Sequence, residues 1–248
     1  MTVAARIPGI SVFLPSHNEE GNVERVVRSW VAELPRVSDN YEVIVVDDGS
    51  RDRTGEIAER LAAEDSHVKV VRHPVNRGYG GAVISGIRAA TQPYVLLCDG
   101  DGQFDPSDLE RLTPFVPEYD VVAGFRGHRA DPLKRRVMGK AWTTLVRILL
   151  GITINDIDCG FKLFKREKLD GMELWTQGAM ISTELMARLA GRNAKVKQVD
   201  VQHLPRQTGE QSGANLKVVA RAFKELIALY RELKAERKRR GKGDSGKL

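Results

Sequence analysis

Short apolar runs that alternate with helical spacing, several of them ending in a cluster of polar residues, constrain this chain more than any other feature of its sequence. ISVFL at 10–14 is followed by Pro15 and then by a helical pattern over 19–34. YEVIVVDD at 41–48 is an almost unbroken, β-branched run, the kind buried on both faces of a parallel sheet. Gly49 and Ser50 break it, and Thr54 is placed to cap a helix reaching about 63. VKVV at 68–71 leads into a glycine-rich turn and a helix over 81–90. YVLLCD at 94–99 and DVVAG at 120–124 read as two further strands. Strands alternating with helices predict an α/β, doubly wound, mostly parallel sheet with right-handed crossovers.

Beyond Arg126 the pattern changes. An amphipathic helix is expected over 135–150, then a loop carrying Asp156, Asp158 and Gly160, then a strand-like FKLFK. A helix over 182–189 and a strand over 196–201 follow. Apolar residues at Val219, Phe223, Leu226, Leu229, Tyr230 and Leu233 mark a last amphipathic helix over 214–238. The expected organisation is one domain over 1–213, with 214–248 adding a C-terminal helix and a basic tail to it.

At 248 residues, with 42% hydrophobic and 29% charged residues, the chain suits one sizeable core and argues against disorder. No apolar stretch approaches the roughly 18 residues of a membrane span. The N-terminus has no signal-peptide core, so a cytoplasmic chain is expected, with work at the inner face of a membrane as an extension of that reading. Two cysteines, Cys98 and Cys159, are too few for a disulfide framework and are expected to be buried thiols. The net charge of +6 suits an anionic partner, with much of the excess in the tail ERKRRGKGDSGK.

Ligands of open parallel sheets bind beyond the carboxyl ends of the strands. Here those ends read Pro15-Ser16-His17-Asn18-Glu19, Asp47-Asp48-Gly49-Ser50, Asn76-Arg77-Gly78 and Asp99-Gly100-Asp101-Gly102-Gln103. The last is the most informative. Two carboxylates two residues apart and a carboxamide offer hard oxygen ligands to Mg²⁺ or Mn²⁺, with ligand phosphates completing the shell. A lysine-bearing phosphate loop is absent, and no GxGxxG follows the first strand. A nucleic-acid module is disfavoured because the motif aromatics are not interleaved with basic residues. A nucleotidyltransferase also uses Asp-x-Asp, but SHNEEGN lacks the basic character of a triphosphate loop.

The ordered set SVFLPSHNEEGN, VIVVDDGSRDRT, NRGYGGAVISGIRAA, YVLLCDGDGQFDP and DCGFKLFKRE resembles the family 2 glycosyltransferases of the GT-A fold. The likeness is to the branch that includes dolichyl-phosphate mannose synthase and polyprenyl-phosphate glucosyltransferases. It implies an inverting transfer of a hexose from a nucleotide diphosphate sugar, GDP-mannose or UDP-glucose, to a polyprenyl or dolichyl phosphate. On this resemblance Pro15, His17, Glu19, Val45, Asp47 and Asp48 contact the nucleotide. Asp99 and Gly100 lie at the ribose or sugar, Asp101 and Gln103 hold the metal, and Arg206 meets the donor. Arg126, Arg135, Gly139 and Ser212 serve phosphate on the acceptor side, Arg126 also neutralising charge in the reaction. His17 stands where the family often has Tyr, and Gly139 where it often has Ser. The loop RQTGEQSG at 206–213 is one residue longer than the family's Arg-x-x-Gly-x-Ser.

A phosphate acceptor is already an anion and needs no general base. A hydroxyl acceptor needs one, and Glu184 in STELM is the first candidate, Asp158 the second. The alternative for Glu184 is a capping carboxylate at a helix start. Trp142, Leu145, Val146, Leu149 and Leu150, with Lys134, Arg135, Arg136, Lys140 and Arg147 nearby, form a stripe that reads either as core or as an interfacial face.

Overall fold

A computed structural model describes residues 5–127, 133–206, 208 and 216–244, with 133–136, 216–221 and 237–244 described by backbone alone. The expected alternation is present: β1 (Ile10–Ser16), α1 (Val23–Glu33), β2 (Tyr41–Asp47), α2 (Thr54–Glu64), β3 (Val68–Arg72), α3 (Tyr79–Ala89) and β4 (Tyr94–Cys98). There follow α4 (Leu109–Leu112), β5 (Val121–Phe125), α5 (Leu133–Leu150), β6 (Phe161–Lys165), α6 (Met180–Gly191), β7 (Val196–Asp200) and α7 (Leu216–Asp244).

The strands form one sheet in the order β3-β2-β1-β4-β6-β5-β7. All pairings are parallel except those of β6, which runs antiparallel to both β4 and β5. The fold class is therefore the expected mostly parallel α/β sheet. The antiparallel insertion was not legible in FKLFK, because strand periodicity encodes which faces are buried and not the direction of the chain.

Alternate residues feed two cores. Val12, Leu14, Val43, Val45 and Leu96 pack with Val26 and Trp30 of α1 and with Leu61 of α2. Phe13, Ile44, Val46, Val95 and Leu97 point to the other face, against α3, α5, α6 and α7. α1 buries Val23, Val26, Val27 and Trp30, the i, i+3, i+4, i+7 stripe of an amphipathic helix. α3 lies close on β1 because residue 86 is glycine: a Cβ there would sit 2.2 Å from the Phe13 ring.

One local expectation changes, and two open ones are decided by packing. Thr54 is the first residue of α2, not a cap; its hydroxyl accepts the N–H of Glu19 at 2.8 Å and donates to Asp52. In α5, Val146 and Leu150 are core residues, with Trp142 and Leu145 packed beside them. The apolar residues that α5 exposes are Val137, Met138, Ile148 and Leu149. In α7, Leu226, Leu229 and Leu233 join the same core, while Phe223 and Tyr230 are exposed. Among the described residues, no helix is long and apolar enough to cross a membrane.

Candidate active site

The ends of β1, β2 and β4 are adjacent, and backbone bonds tie them together: Asp48 N–H to Ser16 O and Gly100 N–H to Pro15 O; Asp99 N–H to Gly160 O adds the loop before β6. The carboxylates predicted at these ends therefore lie along the same end of the sheet, Asp47 on one side of β1 and Asp99 and Asp101 on the other. Asp47 is fully buried. Its Oδ1 accepts the Ser50 N–H at 3.0 Å. Arg72 Nε lies 3.3 Å from Oδ2 but outside hydrogen-bond alignment, which leaves that oxygen buried without a hydrogen bond. An unsatisfied buried carboxylate oxygen is costly. Beside it opens a cleft of about 430 Å³ lined by Gly49, Ser50, Arg72, His73 and Pro74.

At the end of β4, Asp99 accepts the Tyr79 hydroxyl at 2.7 Å. Burial, then the charge of Asp101, pushes its pKa up to about 6. A Cβ at Gly160 would fall 2.0 Å from Asp99 Oδ2, so the 156–160 loop closes on this carboxylate only through glycine. Asp101 turns outward. Its Oδ1 accepts the Gln103 N–H at 3.1 Å and its Oδ2 meets Arg206 at 3.3 Å. Arg206 also binds Glu19, joining the ends of β1 and β4. The Glu19 carboxyl is raised by burial, against the opposing bonds from Asn22 and Arg206. The Gln103 amide donates to Leu204 O at 3.0 Å.

Several expected contacts stand elsewhere. The Val45 side chain is packed in the core with α1 and α2 and does not reach the cleft. Asp48 is buried, and its Oδ1 accepts from His73 at 2.6 Å and from the Arg77 N–H at 2.8 Å. His17 is exposed, its Nδ1 2.9 Å from Asp48 O. Arg126 is clamped by Asp156, Nε to Oδ2 at 2.7 Å and Nη2 to Oδ1 at 2.9 Å. Burial works against its charge, but the Asp156 carboxylate outweighs that and raises its pKa. Gly139 lies in α5, half-buried. The side chain of Arg135 and all of Ser212 lie outside the described residues.

Glu184 corrects the expectation of a general base. It is fully buried, and its carboxylate accepts the N–H groups of Trp175 and Thr176, the Thr176 hydroxyl and Arg188 Nε. Arg188 in turn holds Glu232 and Glu236 of α7 at 2.7 and 3.0 Å. Glu184 thus does reach back to N–H groups ahead of its helix, as a cap would, but from the second turn of a helix buried all round. Glu184→Gln is expected to leave the pH profile of turnover unchanged while lowering the thermal midpoint. A hundredfold loss of turnover with a flattened acid limb would restore the base.

Tyr79, Arg72 and Lys162 were missed from sequence. Lys162 lies in β6, wholly buried, and donates to the carbonyls of Ile157 and Cys159, fixing the loop beneath Asp99. Burial lowers its pKa. The two cysteines are free and buried, as expected.

The family model described as Glycosyl transferase family 2 matches residues 11–172. Glycosyltransferase AglD of Haloferax volcanii is 35% identical over 207 residues, 79% of this chain and 33% of that protein. The undecaprenyl-phosphate 4-deoxy-4-formamido-L-arabinose transferase of Pectobacterium carotovorum subsp. carotovorum is 28% identical over 226 residues, 90% of this chain and 68% of that one. This chain thus spans a third of AglD. A crystal structure of glucosyl-3-phosphoglycerate synthase from Mycobacterium tuberculosis, in complex with Mn²⁺, uridine-diphosphate and glucosyl-3-phosphoglycerate, shares the fold with a TM-score of 0.68. It is 23% identical, over 91% of this chain and 80% of that one. With acidic strand ends along the same end of the sheet and the family's pattern running through β1 to β6, this chain belongs to glycosyl transferase family 2.

Proposed function

We propose that this chain is an inverting glycosyltransferase that moves a hexose from a nucleotide diphosphate sugar to a polyprenyl phosphate. The observation that supports glycosyl transfer is the placement of Asp47, Asp99 and Asp101 at the carboxyl ends of β2 and β4, on either side of β1, with Arg206 bridging Glu19 and Asp101. In this reading the base lies at the end of β2, beside Asp47, and Arg206 faces the diphosphate. The acceptor phosphate oxygen attacks the anomeric carbon as the bond to the nucleoside diphosphate breaks on the opposite face, and a single displacement inverts the centre. The protein's part is to hold the two in line and to offset charge on the leaving group. Glu184 is occupied by four donors, which favours an acceptor that needs no base, and the Pectobacterium relative is named for a lipid-phosphate acceptor.

The donor set suits Mg²⁺ or Mn²⁺. Asp101 carries its carboxylate, 17% exposed, on the turn after β4, and Gln103 adds a carboxamide oxygen. Among the described residues no group of three His, Cys, Asp or Glu forms a cage, which is the arrangement expected when phosphates complete the shell. Asp101 and Gln103 would hold the ion, which when bound neutralises charge on the diphosphate.

Incubation with a panel of nucleotide sugars, Mn²⁺ and a polyprenyl phosphate should release nucleotide and give a glycolipid of inverted anomeric configuration. No release with any donor would reject the reading. Release with hydroxyl acceptors alone would move the acceptor assignment.

A lipid acceptor also requires a membrane contact. Val137, Met138, Ile148 and Leu149 of α5 are exposed, as are Phe223, Ile227 and Tyr230 of α7, and Trp142 meets Phe223 edge-on at 5.4 Å. These faces, with the basic end of α7, are the proposed peripheral contact. Cosedimentation with anionic liposomes is expected at low salt and reduced at high salt. Its absence at low salt would remove this contact.

A further inference from the structure

One buried group in the donor region has no part in the reaction above. His73, immediately after β3, has a side chain only 4% exposed and lies between two partners. Its Nδ1 is 2.6 Å from Asp48 Oδ1, and its Nε2 is 2.8 Å from Ser85 Oγ on α3. A carboxylate only accepts, so Nδ1 carries the proton towards Asp48. The order Ser85–His73–Asp48 resembles an activated nucleophile. Ser85, however, sits inside α3, where backbone N–H groups are spent on the helix and none can hold an oxyanion.

Asp48 is the junction through which His73 acts. The same Oδ1 accepts the Arg77 N–H at 2.8 Å, its carbonyl is 2.9 Å from His17 Nδ1, and its N–H binds Ser16 O. One residue thus gathers the ends of β1, β2 and β3 and the approach to α3. His73 itself lines the cleft beside Asp47.

We infer that His73 is a positioning residue of the donor site: by holding the Asp48 carboxylate it fixes the Arg77 backbone and the His17 ring at the rim of the nucleotide cleft. It sets nucleotide affinity without touching the reacting atoms. The inference rests on the donor reading proposed above.

Two amide substitutions separate the ring's two bonds. The amide nitrogen of asparagine takes the place of Nδ1 and still donates to Asp48; that of glutamine takes the place of Nε2 and does not. Calorimetric titration with UDP and with GDP, each with Mn²⁺, is the test, with a thermal melt on every variant. His73→Gln is expected to weaken nucleotide binding about tenfold, the scale of a lost hydrogen bond to a charged group, and His73→Asn less than about threefold. Turnover at saturating donor should change little in either. Wild-type affinity in a folded His73→Gln, or equal loss in both variants, overturns the inference. Should His73→Gln not fold, Asp48→Asn carries the test: it removes the charge that the ring holds, and unchanged affinity there overturns the inference equally. A wild-type protein that binds neither nucleotide sinks the donor reading, and this inference with it.

Discussion

Replacing Asp101 with alanine is expected to lower turnover by about a thousandfold, the upper range for losing one charge-stabilising group, and to abolish metal-dependent nucleotide binding. The fold should survive. The Asp101 carboxylate is 17% exposed and sits on the turn after β4, outside both cores. What the substitution removes is the outermost carboxylate of the strand-end cluster and one of the two partners of Arg206. Because Glu19 keeps its own bond to Arg206, the thermal midpoint should stay within a few degrees of wild type. The measurement is nucleotide release with and without EDTA, beside a melt. Near-normal release by Asp101→Ala in EDTA would remove the metal assignment.

Breaking the Arg126–Asp156 pair should produce the largest loss of stability. The two side chains are 10% and 11% exposed and joined by a two-point contact. Asp156→Ala leaves the guanidinium buried without its carboxylate, a change of about 3–5 kcal/mol where one member of a buried pair is removed. At roughly 2–4 °C per kcal/mol for a chain of this size, the midpoint should fall by about 10 °C. Arg126→Lys should lose part of that, since an ammonium cannot make the planar two-point contact. A midpoint unchanged in Asp156→Ala would show that the pair is not the anchor of the 126–156 junction. The pairing also reshapes the expected role of Arg126. With Nε and Nη2 committed to Asp156, it offers a phosphate mainly its charge, from a fixed position.

The same contrast runs through the molecule. Burial periodicity and turn chemistry located the strands β1 to β5, and the polar residues at their ends identified Asp47, Asp99 and Asp101 before any fold was known. These are local signals: a β-branched run followed by Asp, Gly and Ser specifies a buried strand and its exit wherever the chain goes next. The resemblance to family 2 glycosyltransferases rested on the same segments.

Partners remote in sequence were not legible in this way. Arg206 reaches Glu19 across 187 residues and Asp101 across 105, and Asp156 reaches Arg126 across 30. Such pairs depend on which loops cross the sheet edge, a property of chain path that no local pattern carries. Glu184 shows the difference most plainly. Its sequence context, a carboxylate near a helix start, fits a base and a cap equally well. Only the packing of Trp175, Thr176 and Arg188 around it decides that both its oxygens are engaged. β6 is the counterpart in the fold: FKLFK specified a strand, but its reversed direction and the burial of Lys162 came from its place between β4 and β5. A strand's residues determine what it buries. The neighbours it meets decide which way it runs and which charges it must neutralise.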